Sequence, residues 1–230
     1  MPLLGVVNRL NVRKIVNFDY LFSGEKTKKE TEFFKESLRK IRHDIESSGA
    51  KSFLFVSLKP QEGKSFLVAS LAYTFTLKNK KVLIIDTNFK NNTLTGLTST
   101  PFDDNPVTGN GVQLSPSATS LSVNINLPNV AIVGNKGGNN SPSELLAGVD
   151  FKKKIDDLAS KYDYILLEAA ALNNYNDARE LVDYVEKVIP VFDATTAIKQ
   201  EDENGLSFLR SLNNKLLGSV LNNADLKSMN

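Results

Sequence analysis

Apolar positions along this chain fall into short blocks that alternate between two periods. Runs of strand length recur at residues 53–56 (Phe53-Leu54-Phe55-Val56), 81–86, 129–133, 164–168, 186–192 and 217–221, bounded by polar or turn-forming residues. Between them lie helical patterns at residues 66–77, 150–160, 176–184 and 201–213. Ahead of the first run, Phe34, Leu38, Ile41 and Ile45 share one face of an amphipathic helix over residues 31–47. Residues 2–7 suit an edge strand. Ser141-Pro142-Ser143-Glu144 has the form of a capping box with proline at the first helical position. Strands alternating with helices predict an α/β fold, with a mainly parallel β-sheet flanked by helices on both faces.

The chemistry concentrates where three of these runs end. Phe53-Leu54-Phe55-Val56 turns through Leu58-Lys59-Pro60-Gln61-Glu62 into Gly63-Lys64-Ser65 and the apolar helix beginning at Phe66. Strand, tight turn, Gly-Lys-Ser and helix form the layout of a phosphate-binding P-loop, where turn amides and a helix N-terminus meet an anion. The strands at 81–86 and 164–168 close on carboxylates, Asp86 and Glu168, at the ends of a parallel sheet where ligands bind. Lys64 is expected to pair with terminal phosphates, and Ser65, Asp86 and Glu168 to hold Mg2+. Asp86 is the candidate for receiving the nucleophile's proton.

Composition narrows the classes without changing this picture. With 230 residues, 41% of them hydrophobic, the chain suits one large P-loop domain at 31–230 after an N-terminal linker or extension at 1–30. No cysteine and one histidine, His43, exclude Cys/His metal centres and thiol catalysis. Residues 1–51 hold 11 Lys/Arg against 7 Asp/Glu, and the remainder 17 against 19. That mildly basic front is most simply a solvated surface, with an anionic inner leaflet as the alternative, and nucleic acid is not expected as a partner. Residues 91–128 are polar and without clear periodicity, and are read as an excursion without assigned function.

Taken in order, these motifs resemble the cytoplasmic domain of the bacterial tyrosine kinases of capsule and exopolysaccharide assembly, within the MinD/ParA-like P-loop ATPases. Glu36, Arg39 and Arg42 match the family's E-x-x-R-x-x-R on helix 31–47. Lys59-Pro60-Gln61-Glu62-Gly63-Lys64-Ser65 matches its P-loop, and residues 82–90 its second motif. Residues 140–146 are similar to N-P-x-E-L-L, and 162–171 to its third motif. Asp177-Ala178 and residues 218–222 match later landmarks.

The resemblance implies ATP or ADP bound through residues 59–66, with Asn222 near the base and Lys64 and Asp86 as catalytic groups. It also implies ring-like self-association through Glu36, Arg39 and Arg42, on a flank open to a partner. A membrane-spanning polysaccharide co-polymerase part or partner and a place at the inner membrane face follow as well. Several residues depart from the pattern. Gln61 stands at a loop glycine, Asn88 and Lys90 at an aspartate and an arginine, and Glu168-Ala169-Ala170-Ala171 at D-T-P-P. The last tyrosine in the sequence is Tyr184, where the family usually ends in a tyrosine-rich segment. The expectation is a domain acting in exopolysaccharide or lipopolysaccharide biosynthesis, with weakened Mg2+ binding and weak or absent phosphoryl transfer. The alternatives are an active tyrosine kinase, with internal tyrosines such as Tyr175 as acceptors, a MinD/ParA-type positioning ATPase, or a scaffold without nucleotide.

Overall fold

The computed structural model describes residues 1–10, 15–16, 18–23, 29–97, 122–123 and 129–226. In chain order the strands are β1 (Leu3–Asn8), β2 (Ile15–Val16), β3 (Ser52–Ser57), β4 (Val82–Asp86), β5 (Ser122–Val123), β6 (Val130–Val133), β7 (Tyr164–Glu168), β8 (Lys187–Asp193) and β9 (Ser219–Ala224). The helices are α1 (Phe18–Ser23), α2 (Lys29–Ser47), α3 (Lys64–Thr76), α4 (Pro142–Leu145), α5 (Phe151–Leu158), α6 (Asp177–Leu181) and α7 (Glu203–Ser211).

Seven strands form one sheet in the order β1-β9-β8-β3-β7-β4-β6, and every pairing in it is parallel. β2 and β5 pair separately. The apolar runs are continuous because the central strands are covered on both faces. Successive side chains divide between two cores, as the two-residue period of a strand demands. Phe53, Phe55, Val82, Ile84, Leu166 and Ile189 join one core with α1, α2 and α3. Leu54, Val56, Leu83, Ile85, Ile165, Leu167 and Val188 join the other with α5, α6 and α7.

Helix α3 is apolar nearly all round, with residues from Leu67 to Phe75 buried, because it lies between the sheet and α2. The amphipathic face of α2 is as expected: Phe34, Leu38, Ile41 and Ile45 are buried. The opening strand is the sheet's edge, paired with β9. The capping box forms at α4, where the Ser141 hydroxyl accepts from the Glu144 amide. The last strand begins two residues later than expected and runs to Ala224. Leu216 makes an isolated parallel bridge to Val188 and the Leu217 amide donates to the Val188 carbonyl at 3.0 Å, but continuous pairing begins only at Ser219.

Candidate functional site

Ser57 ends β3 at the centre of the sheet, and the loop that follows returns to open α3 at Lys64. Two residues give it its curvature. Gly63 lies in the left-handed region at φ 85, and Gln61 adopts φ 64 there without the freedom of glycine. A Cβ on Gly63 would sit 2.1 Å from the Asn222 Nδ2, so that amide packs directly beneath the turn. The same Nδ2 donates to the Glu62 carbonyl at 3.0 Å. The buried Glu62 carboxylate accepts from the Lys59 amide at 3.0 Å, and burial raises its pKa. The buried Lys64 Nζ donates to Ser57 Oγ at 2.7 Å, and Ser57 Oγ in turn donates to the Lys59 carbonyl at 2.7 Å.

Strand register supplies the acids. β4 pairs with β7 so that Asp86 lies opposite Glu168, and Glu168 also aligns with Phe55 of β3. The side chain of Glu168 reaches the P-loop: Ser65 Oγ donates to its Oε1 at 2.8 Å. The extra methylene relative to aspartate therefore does not remove it from the site. Asp86 is held by Thr95, whose amide and hydroxyl donate to Oδ2 at 2.8 and 2.7 Å, and by the Asn88 amide at 3.1 Å to Oδ1.

These groups shift one another's protonation. Burial pushes the Asp86 carboxyl up to about 7, and the Glu168 charge adds to the rise. Glu168 is also raised by burial, against the pull of Lys64, Ser65 and Asn88. Burial lowers Lys64, opposed by Glu168, Glu62 and Asp86. Two buried acids facing one ammonium make a site short of positive charge. Glu168 Oε2 is buried with no hydrogen-bond partner among the described residues. A hard divalent cation fits such a set of oxygens. Among the described residues no three acidic or histidine side chains cluster, so two carboxylates and the Ser65 hydroxyl are the protein's candidate donors.

Several expected residues take other places. The Lys59 ammonium turns away from the loop mouth to Asp202, at 2.8 Å. Pro60 and Gln61 are exposed at the tip. The Phe66 ring stacks on Phe34 and Phe18 in the core, which leaves only its backbone to a ligand. Lys90 donates to the Asn139 carbonyl at 2.5 Å and lies 5.4 Å from the exposed Tyr175 ring centroid.

On α2, Glu36 and Arg39 form an exposed pair at 3.2 Å. Arg42 does not stand free on that flank. Its Nη1 donates to the Thr74 carbonyl at 2.6 Å, because the flank turns toward the end of α3. Thr95, near the start of the excursion to which no function was assigned, grips Asp86, and Asn135 braces both: its backbone amide donates to Thr95 Oγ1 and its Nδ2 to the Asp86 carbonyl. Neither residue carries a local signal; only the approach of segment 91–97 to β4 and β6 brings them in. The rest of that excursion, apart from β5, and the last four residues lie outside the described residues.

No protein-family model matches the chain. Over 193 residues it is 32% identical to the putative tyrosine-protein kinase CapB of Staphylococcus aureus, covering 81% of this chain and 83% of that protein. The chain belongs to the bacterial tyrosine-protein kinase family. It is 27% identical to tyrosine-protein kinase YwqD of Bacillus subtilis over 192 residues, 81% of this chain and 80% of that one. With the succinoglycan biosynthesis transport protein ExoP of Rhizobium meliloti it shares 24% over 201 residues, 85% of this chain but 26% of that protein.

Solved structures agree on the fold. The chimerical protein CapA2B2 superposes with a TM-score of 0.72 at 21% identity, covering 97% of this chain and 94% of that one. The kinase domain of Escherichia coli tyrosine kinase ETK gives 0.69 at 15%, covering 96% and 89%. MinD of Pyrococcus horikoshii, complexed with Mg-ADP, gives 0.51 at 21%, covering 74% and 69%. The kinase family and the parallel α/β fold expected from the sequence are both those found.

Proposed function

We propose that this tyrosine-kinase-family domain binds ATP or ADP with Mg2+ on its P-loop and serves exopolysaccharide assembly, with phosphoryl transfer slower than a site with the full set of acids would give. The observation that carries the reading is the convergence of Lys64, Ser65, Asp86 and Glu168 at three adjacent strand ends, with Ser65 already bonded to Glu168. When bound, Mg2+-ATP would supply the transferable phosphoryl group and the positive charge that this acidic site lacks.

The chain's own residues divide the remaining work. Lys64 and the amides opening α3 bind phosphate oxygens. Ser65, Asp86 and Glu168 would hold the metal. Asp86 accepts the proton of an attacking tyrosine hydroxyl. Asn88 neither accepts that proton nor adds charge, and this is the basis for slow transfer. Ring-like association through Glu36 and Arg39, and docking to a membrane-spanning polysaccharide co-polymerase, extend the reading. They are supported by the exposed pair on α2 and by the likeness to a succinoglycan transport protein.

Following the γ-phosphate label of ATP onto tyrosine tests the rate. The reading expects slow label accumulation in the wild type and faster accumulation in Asn88→Asp. A wild-type rate that Asn88→Asp only lowers would instead make this chain a fully competent kinase. Binding with no label on any tyrosine, in either protein, would make it a nucleotide-binding regulator without transfer.

A further inference from the structure

One buried carboxylate outside the motifs stands where three loops meet. Asp202 ends the short 3-10 turn before α7, and its side chain is wholly excluded from solvent. Oδ2 accepts from Lys59 Nζ at 2.8 Å and from the Lys199 amide at 2.7 Å, and Oδ1 accepts from Asn173 Nδ2 at 2.6 Å. Lys59 belongs to the P-loop, Asn173 to the segment leaving β7, and Lys199 to the segment leaving β8.

The same seam carries further bonds. The amides of Leu172 and Asn173 donate to the carbonyls of Ser57 and Leu58 at 2.9 and 3.0 Å. Lys59 Nζ also donates to the Ala197 carbonyl at 3.2 Å. At Gly205, in the first turn of α7, a Cβ would come within 2.6 Å of Leu58 Cδ2, so the helix abuts the loop more closely than a side chain permits. The hydrogen bond to Asp202 holds Lys59 above its ordinary pKa. Burial alone would raise Asp202, but its bonds from Lys59, Lys199 and Asn173 bring it below the ordinary value. An ion pair whose carboxylate is buried adds little net stability compared with an apolar replacement, yet removing the lysine strands the buried charge of Asp202. Its value here is geometric.

We propose that Asp202 is a positioning residue for the phosphate site, acting through Lys59: the pair fixes the backbone of residues 58–63 in the form that receives phosphate, and Lys59 is not itself a phosphate ligand. The inference rests on the nucleotide-binding reading above and adds to it a residue 138 positions beyond Lys64 in the chain.

The test uses the full chain and its variants Lys59→Met, Asp202→Ala, Asp202→Asn and the Lys59→Met/Asp202→Ala double variant. Affinity is measured for Mg2+-ADP and for inorganic tripolyphosphate, at a temperature where melting curves show each protein folded. Each single variant is expected to weaken both ligands on the order of tenfold, the scale of one lost charge-assisted bond. The double variant should be no weaker than either parent, because the two side chains act as a unit. Should Asp202→Ala not fold, Asp202→Asn and Lys59→Met carry the comparison. Weaker binding in Lys59→Met with equal or tighter binding in the Asp202 variants overturns the proposal, since a lysine that binds phosphate directly gains from release. A wild type that binds neither ligand removes the nucleotide reading itself. A wild type that binds, with unchanged variants, removes only the role of Asp202.

Discussion

Replacing Gly63 by alanine should damage the loop in two separable ways. The left-handed conformation at φ 85 costs a residue bearing a Cβ about 1–2 kcal/mol. The new methyl would also lie 2.1 Å from Asn222 Nδ2 and displace it from the Glu62 carbonyl, which it meets at 3.0 Å. Leaving that buried donor and acceptor unpaired costs a further ~1–3 kcal/mol. Gly63→Ala should therefore cost about 2–5 kcal/mol in the wild type. In an Asn222→Ala background the amide is already gone, so the same change should cost only about 1–2 kcal/mol. Urea unfolding of the four proteins in this cycle reads both numbers. Equal costs in the two backgrounds, within about 0.5 kcal/mol, would refute the packing of Asn222 against the loop.

Other consequences follow from the same geometry. Asp86 is raised from an ordinary 3.8 to about 7, so the folded protein holds an extra proton across that interval. Without metal, stability should fall as pH rises from about 4 to about 7, and Asp86→Asn should flatten that slope when urea midpoints are followed against pH. Gln61→Gly removes left-handed strain but adds chain entropy, and should shift stability upward by no more than about 1 kcal/mol in thermal melts. Arg42→Ala should lose about 1–2 kcal/mol through its bond to Thr74, whereas Arg39→Ala should change stability by less than about 0.5 kcal/mol. If α2 carries the self-association surface, Arg39→Ala lowers the mass measured by light scattering, and an unchanged mass rejects that surface.

What could be read from the chain alone was whatever is encoded locally. The strand ending at Asp86, the turn before Gly63-Lys64-Ser65 and the face of α2 each announce themselves within a dozen residues. Their meeting follows from parallel pairing, which sets Asp86 beside Glu168. Asp202 and Thr95 were illegible because nothing near them in sequence differs from an ordinary loop. They matter through partners brought up by the fold, Lys59 from the P-loop and Asp86 from β4. Arg42 shows the converse: its helical spacing put it on an open flank with Glu36 and Arg39, but the end of α3 covers Arg42 itself. Glu168 stands where its strand-end position placed it, and its side chain meets Ser65 Oγ at 2.8 Å.

Lys64, Ser65, Asp86 and Glu168 are proposed to form one Mg2+-dependent nucleotide site. Calorimetric titration of ATP into the wild type, with and without Mg2+, tests it most directly when repeated with Lys64→Ala and Ser65→Ala. The account predicts that Mg2+ tightens binding in the wild type, that Ser65→Ala loses most of this gain, and that Lys64→Ala binds weakly under either condition. Binding indifferent to Mg2+ and to both substitutions, or no binding at millimolar ATP, would contradict it.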